Sequence, residues 1–202
     1  MDKNGGVYVY ANQQCCDGGR LYFDGCAMII SNGQMVVQSD QFSLREVDVM
    51  TAVVDFEDVT RYRAGMGSRA NQSAHLQAHM IYPRVQVDFN LSVNPVHTHK
   101  RQAPNAAVPA KYLTVEEEIA FGPSCWLWDY LRRSGMSGYF LPLSGGADSS
   151  ATAALVGIMC KLIVKDINEG NQQILADIRR VAGMDDTWVP KTAEEVTLAA
   201  VL

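Results

Sequence analysis

The sequence has no CxxC pair, no histidine cluster and no basic excess, and each absence removes a class of function. Five cysteines, Cys15, Cys16, Cys26, Cys125 and Cys160, are an odd number without zinc-type spacing. They read as free thiols, packed as small apolar side chains in a reducing compartment. Among the 4 histidines, His75 and His79 stand i, i+4 with no third ligand in view, and His97 and His99 fall in a polar stretch, so no zinc site is expected. With 17 Lys and Arg against 22 Asp and Glu, the net charge is -5; nucleic acid and membrane surfaces, which call for a basic stripe, are not expected partners. No apolar run reads as long enough to span a membrane, and the opening MDKNGG lacks the charged, apolar and small-residue order of a secretory leader. The expectation is a cytoplasmic protein.

What is present suffices for a core: 202 residues, 48% of them hydrophobic, allow one large domain or two small ones. The first half is rich in β-formers. Strands are expected at residues 7–12, at 27–30 and 35–38 around the hairpin signal Asn32-Gly33, at 47–56 and at 85–89, with a glycine- and aspartate-rich loop at 15–25 and a helix at 57–63. Residues 92–110 carry Pro95, Pro104 and Pro109 without hydrophobic periodicity, which marks a connection between domains. Beyond it, Thr114 with Glu117 reads as a capping box opening a helix. Gly122-Pro123-Ser124 reads as an interruption, with Ser124 capping a second helix in which Asp129 pairs with Arg133 and which Gly135 ends. Trp126 and Trp128 read as core. Later helices are expected from Ser150 to Val164, with small residues on the side facing a sheet, from Gln172 to Val181, and from Thr192 still running at Leu202.

The stretch with chemistry is YFLPLSGGADSS, residues 139–150. An apolar run at 139–143 reads as a buried strand, two glycines break it, and a helix follows. Adjacent glycines let backbone approach a ligand, and a helix N-terminus offers unpaired N–H groups and positive dipole to an anion, so phosphate is the natural ligand. No lysine follows Gly146, unlike the Gly-Lys-Ser/Thr phosphate loop, and the G-x-G-x-x-G spacing of dinucleotide turns is absent. The anion would be held by the N–H groups of Gly145, Gly146 and Ala147 with the hydroxyls of Ser144 and Ser149. Asp148 would repel phosphate unless Mg2+ lay between them; the alternative makes it a simple helix N-cap.

Ser144-Gly145-Gly146-Ala147-Asp148-Ser149 resembles the SGGxDS pyrophosphate loop of the ATP pyrophosphatase superfamily. The run from Glu116 through CWLWDYLRRSG to LPLSGGADSSATAALV is similar to the start of the synthetase domain of eukaryotic glutamine-dependent NAD synthetases. Upstream, YANQQCCDGGRLYFDGCAMIISNG, QFSL and VDFEDVTRYRA look like the C-terminal part of that family's nitrilase-like (carbon-nitrogen hydrolase) glutaminase domain. The implied fold is α/β. Residues 1–92 would be the C-terminal part of a nitrilase-type αββα domain, 93–111 a linker, and 112–202 the start of a Rossmann-like ATP pyrophosphatase (adenine nucleotide alpha hydrolase-like) domain.

The implied activity is that of a ligase. ATP adenylates the carboxylate of deamido-NAD(+), and ammonia from glutamine displaces AMP to give NAD(+), with pyrophosphate and glutamate as further products. The implied site is Pro142, Leu143, Ser144, Gly145, Gly146, Ala147, Asp148 and Ser149 on the phosphates, with Asp148 as Mg2+ ligand. Ser144 acts in catalysis by stabilising departing pyrophosphate; with no histidine or lysine base beside it, it is not a nucleophile. None of the five cysteines has the context of the family's glutaminase nucleophile, and Cys15 and Cys16 match a loop after it. The resemblance therefore implies a fragment that neither releases ammonia nor completes the ligation alone, and a homo-oligomeric full-length protein. The alternatives are another SGGxDS ligase or a non-catalytic truncated chain.

Overall fold

The computed structural model describes residues 2–75, 83–89 and 102–201. Within them lie strands β1 (Val7–Tyr10), β2 (Gln14–Cys16), β3 (Tyr22–Asp24), β4 (Met28–Ser31) and β5 (Gln34–Gln38). Helices follow: α1 (Phe56–Ala64), α2 (Gly67–His75), α3 (Val115–Ser134), α4 (Ala147–Asn168), α5 (Gln172–Ala182) and α6 (Ala193–Ala200). The fold is mixed α/β with small sheets, and it divides into two compact units: residues 1–10, 28–38 and 50–110, and residues 11–27, 39–49 and 111–202. His79, His97, His99 and residues 93–101 of the expected linker fall outside the described residues.

In the first unit the order is β1-β4-β5, antiparallel throughout. Asn32 and Gly33 make the β4–β5 turn with φ of 50° and 86°, the left-handed pair that a two-residue hairpin loop requires. Asn32 also ties the turn down: its backbone N–H donates to Gly6 O at 2.9 Å and its Oδ1 accepts from Gly6 N–H at 3.0 Å. Helix α1 is capped by Asp55, whose carboxylate accepts from Glu57 N–H. Two expected strands are absent. Residues 47–55 and 83–87 are irregular, with Val47, Val49 and Val85 largely exposed, because β-rich composition makes a strand only where a partner edge is present.

In the second unit the core is helical. Trp128 and Leu131 of α3, Val156, Met159, Cys160, Ile163 and Val164 of α4, and Ile174 and Ile178 of α5 are buried together with Val196 of α6. The β2–β3 hairpin packs on α3: a Cβ at Gly122 would come within 2.8 Å of the Tyr22 ring, which would have to shift to admit it. Residues 15–25 are therefore a paired hairpin around a short loop, not a loop throughout.

Several helix limits differ from those expected. The capping box at Thr114 and Glu117 is formed, and α3 then runs unbroken through Pro123 to Gly135 in the left-handed conformation. Ser124 lies inside α3 and caps nothing; its Oγ is within hydrogen-bond distance of Ala120 O (2.7 Å) and Leu155 O (2.9 Å). Helix α4 begins at Ala147 and not at Ser150, and α6 stops at Ala200 with Val201 extended. The buried face of α4 is the large-residue stripe 156, 159, 160, 163 and 164; the small residues Ala151 and Ala154 are exposed, for no sheet covers them among the described residues. By length and composition α4, with an 18-residue window of mean hydropathy 1.5, is long and apolar enough to cross a membrane, contrary to the first reading of the sequence. The expected strand at 139–143 is reduced to one parallel bridge, Tyr139 with Val201, since a parallel ladder needs a neighbour and Val201 alone supplies it among the described residues.

Candidate functional site

The turn at residues 144–149 has the geometry of an anion cradle. Gly145 has φ +81° with nothing within 4 Å of where a Cβ would be, so the turn is open as well as left-handed. Gly146 is the N-cap of α4 and has no side chain with which to cap it. The first helical bond is Ser150 N–H to Gly146 O at 3.1 Å, which leaves the N–H groups of Ala147, Asp148 and Ser149 before it as donors for a ligand. The hydroxyls of Ser144 and Ser149 face each other at 3.0 Å. With Ser149 Oγ donating to Gly146 O at 3.1 Å, Ser144 donates to Ser149 and accepts from Gly146 N–H at 3.4 Å. Both hydroxyls are thus held at the mouth of the turn. The free donors at the mouth of the turn are therefore the amides of Ala147, Asp148 and Ser149, and phosphate oxygens, which are acceptors, complement them.

The structure brings together Ser144, Gly145, Gly146, Ala147, Asp148 and Ser149, all exposed except the half-buried Ser149, with Pro142 and Leu143 exposed on the entry side. Asp148 is the second residue of α4, so the N-cap alternative is excluded. Its carboxylate has no hydrogen-bond or ion-pair partner among the described residues and is open to solvent. No group of three or more His, Cys, Asp or Glu side chains stands ready to hold a metal among those residues. One free carboxylate beside a phosphate cradle still fits Mg2+, which keeps its waters and takes phosphate oxygens alongside one or two carboxylates.

Both flanks of the turn are fastened to α3. On the entry side Tyr139 Oη donates to Leu127 O at 2.6 Å, and burial pushes the Tyr139 phenol pKa well up, which keeps it a donor. On the exit side Ser124 Oγ meets Leu155 O of α4. A further polar cluster lies lower on α3. Asp129, 2% exposed, accepts from Cys16 N–H at 3.0 Å and pairs with Arg132 at 2.7 Å and Arg133 at 3.1 Å. Desolvation pushes its pKa up, but the Cys16 amide and the two guanidinium groups outweigh that and hold it below the usual carboxylate range. Sequence spacing showed the Asp129–Arg133 pair; the Cys16 partner, 113 residues away, carried no local signal. A cavity of about 660 Å³ lined by Arg45, Glu46, Arg132, Glu169 and Asn171 among others includes none of the turn's residues.

The cysteines are free thiols, as expected. Cys16, Cys125 and Cys160 are buried. Burial pushes Cys15 up to about 11 and Cys125 up to about 12, and raises Cys16 and Cys160, so none of these is a thiolate at neutral pH.

No protein-family model matches the chain. Curated relatives do. It is 50% identical over 193 residues to a glutamine-dependent NAD(+) synthetase of Dictyostelium discoideum, covering 96% of this chain and 26% of that protein. It is 52% identical over 192 residues to one of Oryza sativa subsp. indica, covering 95% and 25%, and 45% identical over 192 residues to one of Saccharomyces cerevisiae, covering 95% and 27%. The chain spans about a quarter of the length of the curated relatives it matches.

Proposed function

We propose that this chain, homologous along nearly all its length to a quarter of glutamine-dependent NAD(+) synthetases, carries their ATP-pyrophosphate cradle and serves NAD(+) synthesis. The observation that carries the reading is the turn itself: three open amides at the start of α4, a left-handed Gly145, and two serine hydroxyls 3.0 Å apart. In the reaction ATP adenylates the carboxylate of deamido-NAD(+), pyrophosphate leaves, and glutamine-derived ammonia displaces AMP. Ser144 acts on the leaving group: its hydroxyl, already set by Gly146 N–H and Ser149, turns toward the negative charge that gathers on departing pyrophosphate. The open amides of Ala147, Asp148 and Ser149, with that of Gly145, hold the phosphates, the Gly146 amide and the Ser149 hydroxyl join them by giving up their bonds to Ser144 Oγ and Gly146 O, and Pro142 and Leu143 present the turn. Asp148 would hold Mg2+, which when bound neutralises phosphate charge.

The same reading assigns residues 1–92 to the end of a nitrilase-type αββα domain, 93–111 to a linker and 112–202 to the start of a Rossmann-like ATP pyrophosphatase domain, in a cytoplasmic, homo-oligomeric enzyme. Glutamine hydrolysis is not assigned to these residues, because none of the five cysteines has the sequence context of the family's glutaminase nucleophile. Calorimetric titration with Mg2+-ATP tests the cradle. Saturable binding that Ser144→Ala weakens about tenfold, the value of one lost charge-assisted hydrogen bond, is expected. Equal affinity in wild type and Ser144→Ala would refute the assignment.

A further inference from the structure

We infer that Asp129 is a positioning residue for the phosphate turn: it fastens the β2–β3 hairpin to α3, and α3 in turn holds both flanks of the turn. The inference rests on the cradle reading for its functional meaning, but the mechanical link is visible without it. Asp129 takes the Cys16 amide in its carboxylate, and Arg133, which bonds the same carboxylate, also donates to Cys16 O at 3.0 Å. One residue of the hairpin is thus gripped at both of its backbone polar groups. The Gly122 contact with the Tyr22 ring makes a second point of attachment, two helical turns away along α3. Between these two points α3 meets the segments on either side of the turn: Ser124 Oγ lies 2.9 Å from Leu155 O, six residues after Ser149, and Leu127 O accepts from Tyr139 Oη, five residues before Ser144.

The hairpin is continuous in the chain with β1 on one side and β4 on the other, and these two are neighbours in the sheet of the first unit. It therefore inserts a segment of the β-rich half of the sequence into the unit that carries the turn. A change that shifts or loosens the hairpin reaches α3 through a buried carboxylate that cannot be left unpaired without large cost, and so it is transmitted rather than absorbed. That gives the region resembling the glutaminase a physical handle on the ATP-binding turn.

The test is hydrogen exchange on the 202-residue chain, comparing wild type, Asp129→Asn and the core variant Ile178→Val, the last as a control that lowers stability without touching this route. Asp129→Asn is expected to speed exchange about tenfold or more both in residues 14–24 and in residues 147–154 of α4, while the control leaves the ratio of these two regions to the rest of the unit unchanged. Loosening of the hairpin with residues 147–154 unaffected would overturn the inference, and so would the same pattern in the control. Should Asp129→Asn fail to fold, Arg133→Ala, which removes the bond to Cys16 O from a more exposed side chain, takes its place with the same outcomes. Titration with Mg2+-pyrophosphate separates this from the cradle reading: if wild type does not bind it, that reading fails, while the exchange pattern still decides the link. If wild type binds, affinity about tenfold weaker in Asp129→Asn and unchanged in Ile178→Val is expected.

Discussion

Two aspartates, 19 positions apart, owe opposite roles to opposite surroundings. Asp148 is exposed and unpaired on the first turn of α4, so replacing it with alanine leaves the fold intact. Asp148→Ala is expected to abolish the Mg2+-dependent part of ATP binding, read by titration with and without the cation; unchanged Mg2+ dependence would remove the metal role. Asp129 is buried and gripped, and breaking its network should cost about 3 kcal/mol at neutral pH. Because its pKa is lower in the folded protein than in the unfolded chain, its contribution is complete above the ordinary carboxylate value and is lost as pH falls through the folded value. Urea unfolding from pH 7 to pH 3 should therefore show wild type losing stability below about pH 4, with a flatter acid limb in Asp129→Asn. Parallel acid limbs would mean that Asp129 titrates alike in both states. The glycine turn before α4 was legible in sequence because its residues are contiguous. The Asp129–Cys16 contact was not, since nothing local marks which amide a buried carboxylate will take.

Helices were read well where their signals are local: the Thr114–Glu117 box and the left-handed Gly135 lie where their chemistry puts them. Strands were read poorly where pairing decides. Residues 47–55 and 140–143 have the composition of strands and lack the neighbouring edge, whereas β2 and β3 are only three residues each and are held by Asp129 on Cys16 and by the Tyr22–Phe42 ring contact. Pro123 misled in the same way, since the packing of α3 on α4 outweighs one missing amide. Two glycine replacements measure this packing. Gly122→Ala, whose Cβ would strike Tyr22, should lower stability by about 1–3 kcal/mol despite better helix propensity. Gly157→Ala, in open space on α4, should raise it by about 0.5–1 kcal/mol. Thermal unfolding of both checks the pair; stabilisation by Gly122→Ala would show that the hairpin is not seated on α3.

At the scale of the molecule, the contact-defined units do not follow chain order, because the hairpin and residues 39–49 belong with the helices of residues 111–202. Composition could not foresee this, as it depends on a buried network and not on a boundary. None of the five cysteines has the sequence context of the glutaminase nucleophile, so glutamine should yield no glutamate when incubated with the 202-residue chain; glutamate release blocked by a thiol reagent would contradict the account. The central claim is that residues 144–149 form a pyrophosphate cradle, and the most direct measurement is calorimetric titration of the 202-residue chain with Mg2+-pyrophosphate. One saturable site, weakened by Ser144→Ala and by Asp148→Ala, is the result the account requires. No saturable binding, or binding indifferent to both substitutions, would contradict it.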